Sequence, residues 1–184
     1  MINLVGNNFS LRTMTAEDVT DEYLSWLSNE RINKYLSVRY NIPSKEEAIV
    51  NVARYDQKTR FMFTICDNKS DKFIGTISLN IDPDYKIASY GYLVGDQKYW
   101  GTKAAVEAIS MLLDFAFEEL NLRRVWGGAF IPNIGSIFNF KKLGFTQEGR
   151  LRASGLIDGK EVDSLVFGIL KSEWLARKAE KKDA

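Results

Sequence analysis

Gly91-Tyr92-Leu93-Val94-Gly95-Asp96-Gln97-Lys98-Tyr99-Trp100-Gly101-Thr102-Lys103-Ala104 runs from a strand-like segment through a tight loop into a helical pattern. From Gly101 to Leu120 the apolar residues Ala105, Ala108, Ile109, Leu112, Ala116 and Leu120 recur at spacings of three and four, which predicts the longest helix of the chain. A helix start presents unsatisfied N–H groups and the positive end of a dipole, and small residues beside it let an anion approach the backbone. A strand, a loop and a helix with one glycine occur in many proteins, so alone this stretch says only that an anionic group fits there.

Working outward toward the amino terminus, three strands are expected over Arg60 to Cys66, Phe73 to Ile81 and Ile87 to Val94. The turn-rich connections Asp67-Asn68-Lys69-Ser70-Asp71 and Asp82-Pro83-Asp84 make an antiparallel meander the natural arrangement. The middle strand alternates, with Phe73, Ile77, Leu79 and Ile81 expected on one face and Thr76, Ser78, Asn80 and Asp82 on the other. Upstream, Phe9 to Met14 reads as a first strand, and Thr15-Ala16-Glu17-Asp18 as the cap of a helix carrying Tyr23, Leu24, Trp26 and Leu27. A second helix is expected from Ser44 to about Tyr55.

Downstream, a strand over Arg123 to Phe130 leads to a helix opened at Pro132 and ended by Leu143-Gly144, the glycine suiting a left-handed terminating position. Strands over Thr146 to Leu156 and Val162 to Leu170 flank Asp158-Gly159, a hairpin signal. The charged tail from Lys171 to Ala184 is expected to form a surface helix that frays. The predicted chain is α+β (mixed α/β), with seven strands and parallel pairing needed only across the long helix.

At 184 residues, one domain spanning 1–184 is expected. The balance of 25 basic against 24 acidic side chains argues against a nucleic-acid or membrane-surface partner. No run approaches about 18 apolar residues and the first residues lack a leader pattern, which fits a cytoplasmic enzyme. The absence of histidine excludes imidazole bases, His-based triads and His metal sites, so no metal is expected. Cys66, the single cysteine, lies in the apolar run Phe61-Met62-Phe63-Thr64-Ile65 and reads as a buried strand thiol.

A second stretch, Asn133-Ile134-Gly135-Ser136-Ile137-Phe138-Asn139-Phe140-Lys141-Lys142-Leu143-Gly144-Phe145, sets Asn133 and Ser136 at a helix start, where each alone is an ordinary capping residue. Tyr99-Trp100-Gly101 followed by Glu107-Ala108, Asn133 with Ser136, the Lys142-Leu143-Gly144-Phe145 ending and Asp158-Gly159-Lys160 together resemble the Gcn5-related N-acetyltransferase (GNAT) superfamily. The likeness covers nearly the whole chain and is nearest the branch of ribosomal-protein-alanine acetyltransferases and related small-amine enzymes. It implies a central, mostly antiparallel, splayed seven-stranded sheet flanked by helices, and acetyl-CoA as co-substrate.

By the same resemblance, pantetheine pairs with backbone groups of Tyr92, Leu93 and Val94. The diphosphate meets N–H groups of Lys98, Tyr99, Trp100, Gly101, Thr102, Lys103 and Ala104. Asn133 binds the pantetheine arm, Ser136 lies near the thioester sulfur and protonates the leaving thiolate, and Lys142 faces the adenosine phosphate. Three departures stand out: Lys103 replaces a small loop residue, Phe140 replaces a tyrosine that protonates the thiolate in many members, and Ser89 replaces a carboxylate.

On the acceptor side, the segment from Trp26 to Tyr40 mixes aromatics and cations where this branch binds its amine. Trp26, Tyr35 and Arg39 are the acceptor candidates there, Arg39 as a partner for a phosphate or carboxylate. The acceptor is either a protein N-terminus or a small amine such as a nucleotide-linked amino sugar. A non-catalytic CoA-binding or regulatory module is the alternative reading, and a homodimer through the final hairpin and tail is a further expectation. For proton removal, Asp96 and Asp163 are the carboxylates considered.

Overall fold

A computed structural model describes residues 1–182. Its strands are β1 (Asn3–Val5), β2 (Phe9–Thr13), β3 (Arg60–Asp67), β4 (Lys72–Asp82), β5 (Ile87–Val94), β6 (Arg124–Phe130), β7 (Thr146–Ile157) and β8 (Lys160–Leu170). The helices are α1 (Asp21–Ser28), α2 (Glu30–Asn33), α3 (Lys45–Ala53), α4 (Ala104–Asp114), α5 (Ile134–Leu143) and α6 (Lys171–Lys182). The strands form one open sheet in the order β1-β2-β3-β4-β5-β6-β8-β7. Eight strands replace the expected seven because Asn3–Val5 folds back on β2, with Leu4 opposite Leu11. Three residues with one apolar pair are too short a pattern to read as a strand.

The chain divides into two compact units: Met1–Asn80 with Gly91–Met111, and Ile81–Tyr90 with the chain from Leu112 onward. In the first, α1 and α3 bury Tyr23, Trp26, Leu27, Ala48 and Val52 against Met14, Val19 and Leu93. The larger aliphatic ones, such as Leu27, Val52 and Leu93, each contribute about 1.5–3 kcal/mol when fully withdrawn from water. Thr15 caps only a short 3₁₀ turn over Ala16–Asp18, and α1 starts at Asp21 behind its own cap, Thr20. Ser44 and Glu47 form the capping box that starts α3, as the Ser-x-x-Glu spacing requires.

Alternation in β4 breaks at Phe73. The register slips between Ile65 and Cys66, so that Ile65 faces Gly75 while Cys66 faces Phe73, leaving Ile74 as the extra residue of a bulge. Past it the side chains change sides. Phe73 therefore joins Tyr23 and Trp26 in the cluster under α1, ring centroids 6.0 and 5.0 Å away, rather than the face of Ile77. The freed Ile74 carbonyl accepts from both Gly95 and Asp96 N–H, at 2.9 and 3.1 Å, which holds the end of β5. A side chain at Gly75 would meet the Leu93 carbonyl oxygen at 2.2 Å, so the close approach of β4 to β5 needs glycine. Cys66 is buried in β3.

In the second unit, β5 and β6 pair in parallel through Ile87↔Arg124, Ala88↔Val125 and Ser89↔Trp126. Both strands continue past this ladder, to Val94 and Phe130. Phe140 stacks on Phe167 at 4.5 Å and meets Phe145 edge-on at 5.1 Å. Asp158 and Gly159 both have positive φ, 53° and 75°, as a two-residue hairpin turn of this hand demands. Helix α6 is more than a surface appendage: Trp174 is buried, its indole donates to Asp114 at 2.8 Å, and Lys178 reaches the same carboxylate. Of the tail expected to form a fraying helix over Lys171 to Ala184, the helix is present over Lys171–Lys182, and Asp183 and Ala184 lie outside the described residues. Among those described, no helix is long and apolar enough to cross a membrane.

Candidate active site

In the first unit, β5 ends at Val94 and the chain enters a 3₁₀ turn (Gln97–Tyr99) before α4 begins at Ala104. Asp96 organises this turn. Its carboxylate accepts from the Lys98 N–H at 3.0 Å and from the Lys72 ammonium at 2.8 Å. Burial works to raise its pKa, but Lys72 and the Lys98 N–H outweigh that and hold it below the usual carboxylate range. Trp100 ties the loop back to the strand: its indole N–H donates to the Val94 carbonyl at 2.7 Å, and the Arg31 guanidinium lies over its ring at 5.6 Å. Tyr99 donates its hydroxyl to Asp67 at 3.0 Å.

The loop's backbone donors fall into two sets. Those of Lys98, Tyr99, Trp100, Thr102 and Ala104 are used within the loop, by Asp96, Gln97, Tyr99 and the Thr102 hydroxyl. Those of Gly101, Lys103, Ala105 and Val106 meet no acceptor among the described residues, the first intrahelical bond being Glu107 N–H to Lys103 C=O. Ala105 and Val106 thus extend the set of open donors two residues beyond the stretch the sequence pointed to, as helix geometry dictates. Gly101 has φ +72° and open space where a side chain would stand. Lys103 is exposed and shares with Asn8, Asp67, Lys69 and Thr102 the lining of a 270 Å³ cavity. Glu107, one of the family markers, anchors the helix start: it accepts from Asn8 N–H, Asn8 Nδ2 and Phe9 N–H at 2.6, 3.0 and 3.1 Å.

A second cavity of the first unit, 420 Å³, opens beside Tyr92 and Leu93. Leu36, Ser37 and Val38 from the stretch after α2, Asn51 and Arg54 from the end of α3, Arg60 and Met62 from β3, and Thr76 and Ser78 from β4 line it. Tyr23 also faces it; burial, with the neighbouring Tyr55, pushes its phenol up to about 12, so the hydroxyl stays protonated. The acceptor candidates behave differently. Trp26 is 5% exposed and its ring lies where a Gly95 side chain would be, so it packs the end of β5. Arg39 donates to the Lys34 carbonyl at 2.8 Å and lies over Tyr40, and Tyr35 carries the Lys34 ammonium over its ring at 5.9 Å. None of the three is among the lining residues; Arg54 and Arg60, which are, carry no sequence signal because an arginine at a helix or strand end reads as solvated.

In the second unit, Asn133 caps α5, its side-chain oxygen accepting from Ser136 N–H at 3.2 Å, and Gly144 ends that helix with φ +86°. Ser136 is half-buried in the first turn. Lys142 is exposed, with its ammonium over the Phe138 ring at 5.5 Å. Phe140 is a core residue, so the position carries packing and no hydroxyl. Asp163 accepts from Ala153 N–H at 2.8 Å and from the Arg150 guanidinium at 2.6 Å, and both hold it low. Asp96 and Asp163 are therefore structural carboxylates with little basicity.

The sequence profile of the "Acetyltransferase (GNAT) domain" family matches residues 8–146. The "uncharacterized N-acetyltransferase p20" of Bacillus licheniformis is 29% identical over 95% of this chain and 99% of its own length. A spermidine N-acetyltransferase from Vibrio cholerae, solved with CoA and spermine, superposes with a TM-score of 0.82 at 21% identity, covering 92% of this chain and 99% of that one. A ribosomal-protein-S5-alanine acetyltransferase from Vibrio fischeri gives 0.81 at 19% identity, over 95% and 99%. Both likenesses are of fold. With an open helix start behind a bulge-held strand and a family match over most of its length, this chain belongs to the GNAT acetyltransferases and is an N-acetyltransferase.

Proposed function

We propose that the chain works as a single acetyltransferase domain that moves the acetyl group of acetyl-CoA to a small primary amine by direct attack, without a covalent enzyme intermediate. The observation carrying this reading is the start of α4, whose Gly101, Lys103, Ala105 and Val106 N–H groups are left without acceptors. A diphosphate supplies the anionic oxygens such a start lacks. Lys69 and Lys103 add positive charge beside it. Backbone groups of Tyr92, Leu93 and Val94 take pantetheine, Asn133 its amide arm, and Lys142 the adenosine phosphate.

In the reaction the neutral amine nitrogen bonds to the acetyl carbon as the carbon–sulfur bond breaks. The amine proton leaves to water, and the Ser136 hydroxyl relays a proton to the thiolate, whose pKa is roughly 8 to 9 by comparison with cysteine. Holding amine and thioester together supplies much of the rate. Asp96 is held by Lys72 and the Lys98 N–H and Asp163 by Arg150 and the Ala153 N–H, so neither is assigned as the base; the amine reacts in its neutral form, and activity is expected to rise with pH until the free amine dominates. Titration calorimetry with acetyl-CoA, paired with thiol release over an amine panel, tests the reading. Micromolar-range binding with turnover supports it, and absence of binding overturns it.

A further inference from the structure

We infer that the 420 Å³ cavity accepts an amine whose far end carries a carboxylate or phosphate, held by Arg54 and Arg60. This rests on the transferase reading and adds the chemistry of its acceptor.

Of the side chains lining the cavity, only Arg54 and Arg60 are charged. Neither has a carboxylate partner among the described ion pairs; Arg60 donates to Asn80 Oδ1 at 3.4 Å and lies over the Tyr55 ring at 5.0 Å. Nearby carboxylates are engaged. Asp56 accepts from the N–H groups of Lys58, Thr59 and Arg60, and Glu46 and Glu47, which share a neighbouring depression with Arg54, bind the hydroxyl and the N–H of Ser44. The cavity therefore presents two guanidiniums that no carboxylate grips in an ion pair among the described residues, groups shaped to hold carboxylate or phosphate oxygens. A polyamine would bring its extra ammonium groups against them.

Strand geometry supplies a ruler. In the β3–β4 register Arg60 faces Asn80, Met62 faces Ser78 and Thr64 faces Thr76. Ser78 Oγ donates to the Gly91 carbonyl at 3.4 Å and Gly95 N–H to the Ile74 carbonyl, so β5 runs away from Arg60 as it passes from Gly91 to Leu93. At about 3.4 Å per residue, Arg60 stands roughly 13 Å along the strands from Leu93. An arginine side chain covers part of that distance, which leaves room for a spacer of a few carbons between anion and amine.

Thiol-release kinetics on the full chain with pentylamine, 5-aminopentanoate, 3-aminopropyl phosphate and spermidine test this. Expected is a kcat/KM for at least one anionic amine about tenfold above pentylamine, the faster of the two naming the preferred anion, with spermidine below pentylamine. Arg54→Glu and Arg60→Glu should each cut the anionic-to-neutral ratio by about tenfold and raise the spermidine-to-neutral ratio, with acetyl-CoA binding as the check that each variant is folded. Spermidine or pentylamine used as well as both anionic amines overturns the inference and leaves the transferase reading standing. So does a ratio that neither variant moves. Acetyl-CoA binding without turnover of any of the four amines overturns both.

Discussion

Two helix starts in this molecule face the same physical problem and resolve it in opposite ways. At α5, Asn133 turns its own side-chain oxygen onto the Ser136 N–H. At α4, Lys103 stands in the corresponding position and its side chain cannot accept a hydrogen bond, so Ala105 and Val106 keep open donors. Ser44 and Thr20 close α3 and α1 in the same way as Asn133 closes α5. A cap contributes about 1 kcal/mol, so omitting one at the start of a long helix gives up stability and leaves the donors that the proposed diphosphate would complete.

Closing the open start should have the largest effect. Lys103→Asp places a capping carboxylate at α4, raising thermal stability by about 1 kcal/mol while supplying internally what the diphosphate would supply. Acetyl-CoA affinity should fall by about 2–3 kcal/mol, roughly 30- to 150-fold, from charge reversal and blocked donors together. Thermal melting and calorimetry on one preparation read the two opposite signs. A variant that is more stable and binds acetyl-CoA unchanged would remove the start of α4 from the diphosphate site.

Opening a closed start is the converse. Asp18 completes the capping box with Thr15 and pairs with Arg12, accepting at 2.8 Å from Thr15 N–H and at 2.8 Å from Arg12. Burial works to raise its pKa, and Arg12 with Thr15 bring it below the ordinary value. Because the folded pKa is depressed, the stability it contributes is complete above the unfolded value of about 3.9 and is lost as pH falls through the folded one. Asp18→Asn should therefore cost about 2 kcal/mol at pH 7 and progressively less in acid below about pH 4. Denaturant melts of both proteins across that range check it. An equal gap at every pH would mean that shape, not charge, is what Asp18 contributes.

This contrast also marks what the sequence could reveal. Ser44-x-x-Glu47, Asn133, Gly144 and Asp158-Gly159 are local signals whose chemistry acts within a few residues, and each lies where its pattern places it. The bulge at Ile74 is different. It arises from a register between β3 and β4 that no alternation within β4 announces, and it moves Phe73 across the sheet to pack beneath α1. The loop from Asp96 to Lys103 carries the expectation of an anion site, but which of its donors stay open depends on the Asp96 and Thr102 side chains consuming their neighbours' N–H groups. Arg54 and Arg60 approach one cavity only because α3 and β3 converge on it, a fact of tertiary structure.

At α5 the cap itself can be separated from contact with cofactor. Asn133→Ala should lower stability by about 1 kcal/mol, and Asn133→Ser should restore most of it because serine caps nearly as well. If Asn133 also binds the pantetheine arm, the serine variant stays weak in KM for acetyl-CoA although its melting temperature recovers. Recovery of both together would make Asn133 a cap and nothing more.

The smallest effect belongs to the Lys103 side chain alone. Lys103→Gly leaves the donors of α4 open and removes only an exposed ammonium, so the loss is that of one solvent-screened attraction, about threefold in acetyl-CoA affinity. Its salt dependence is the sharper readout. The wild type should lose affinity faster than the variant as ionic strength rises, since screening acts on the ammonium–phosphate attraction more than on hydrogen bonds from the backbone. Parallel salt curves would leave Lys103 pointing into solvent, with the backbone donors alone serving the diphosphate. Converging curves would show that a cation offsets at this helix start the approach that a smaller residue would have allowed.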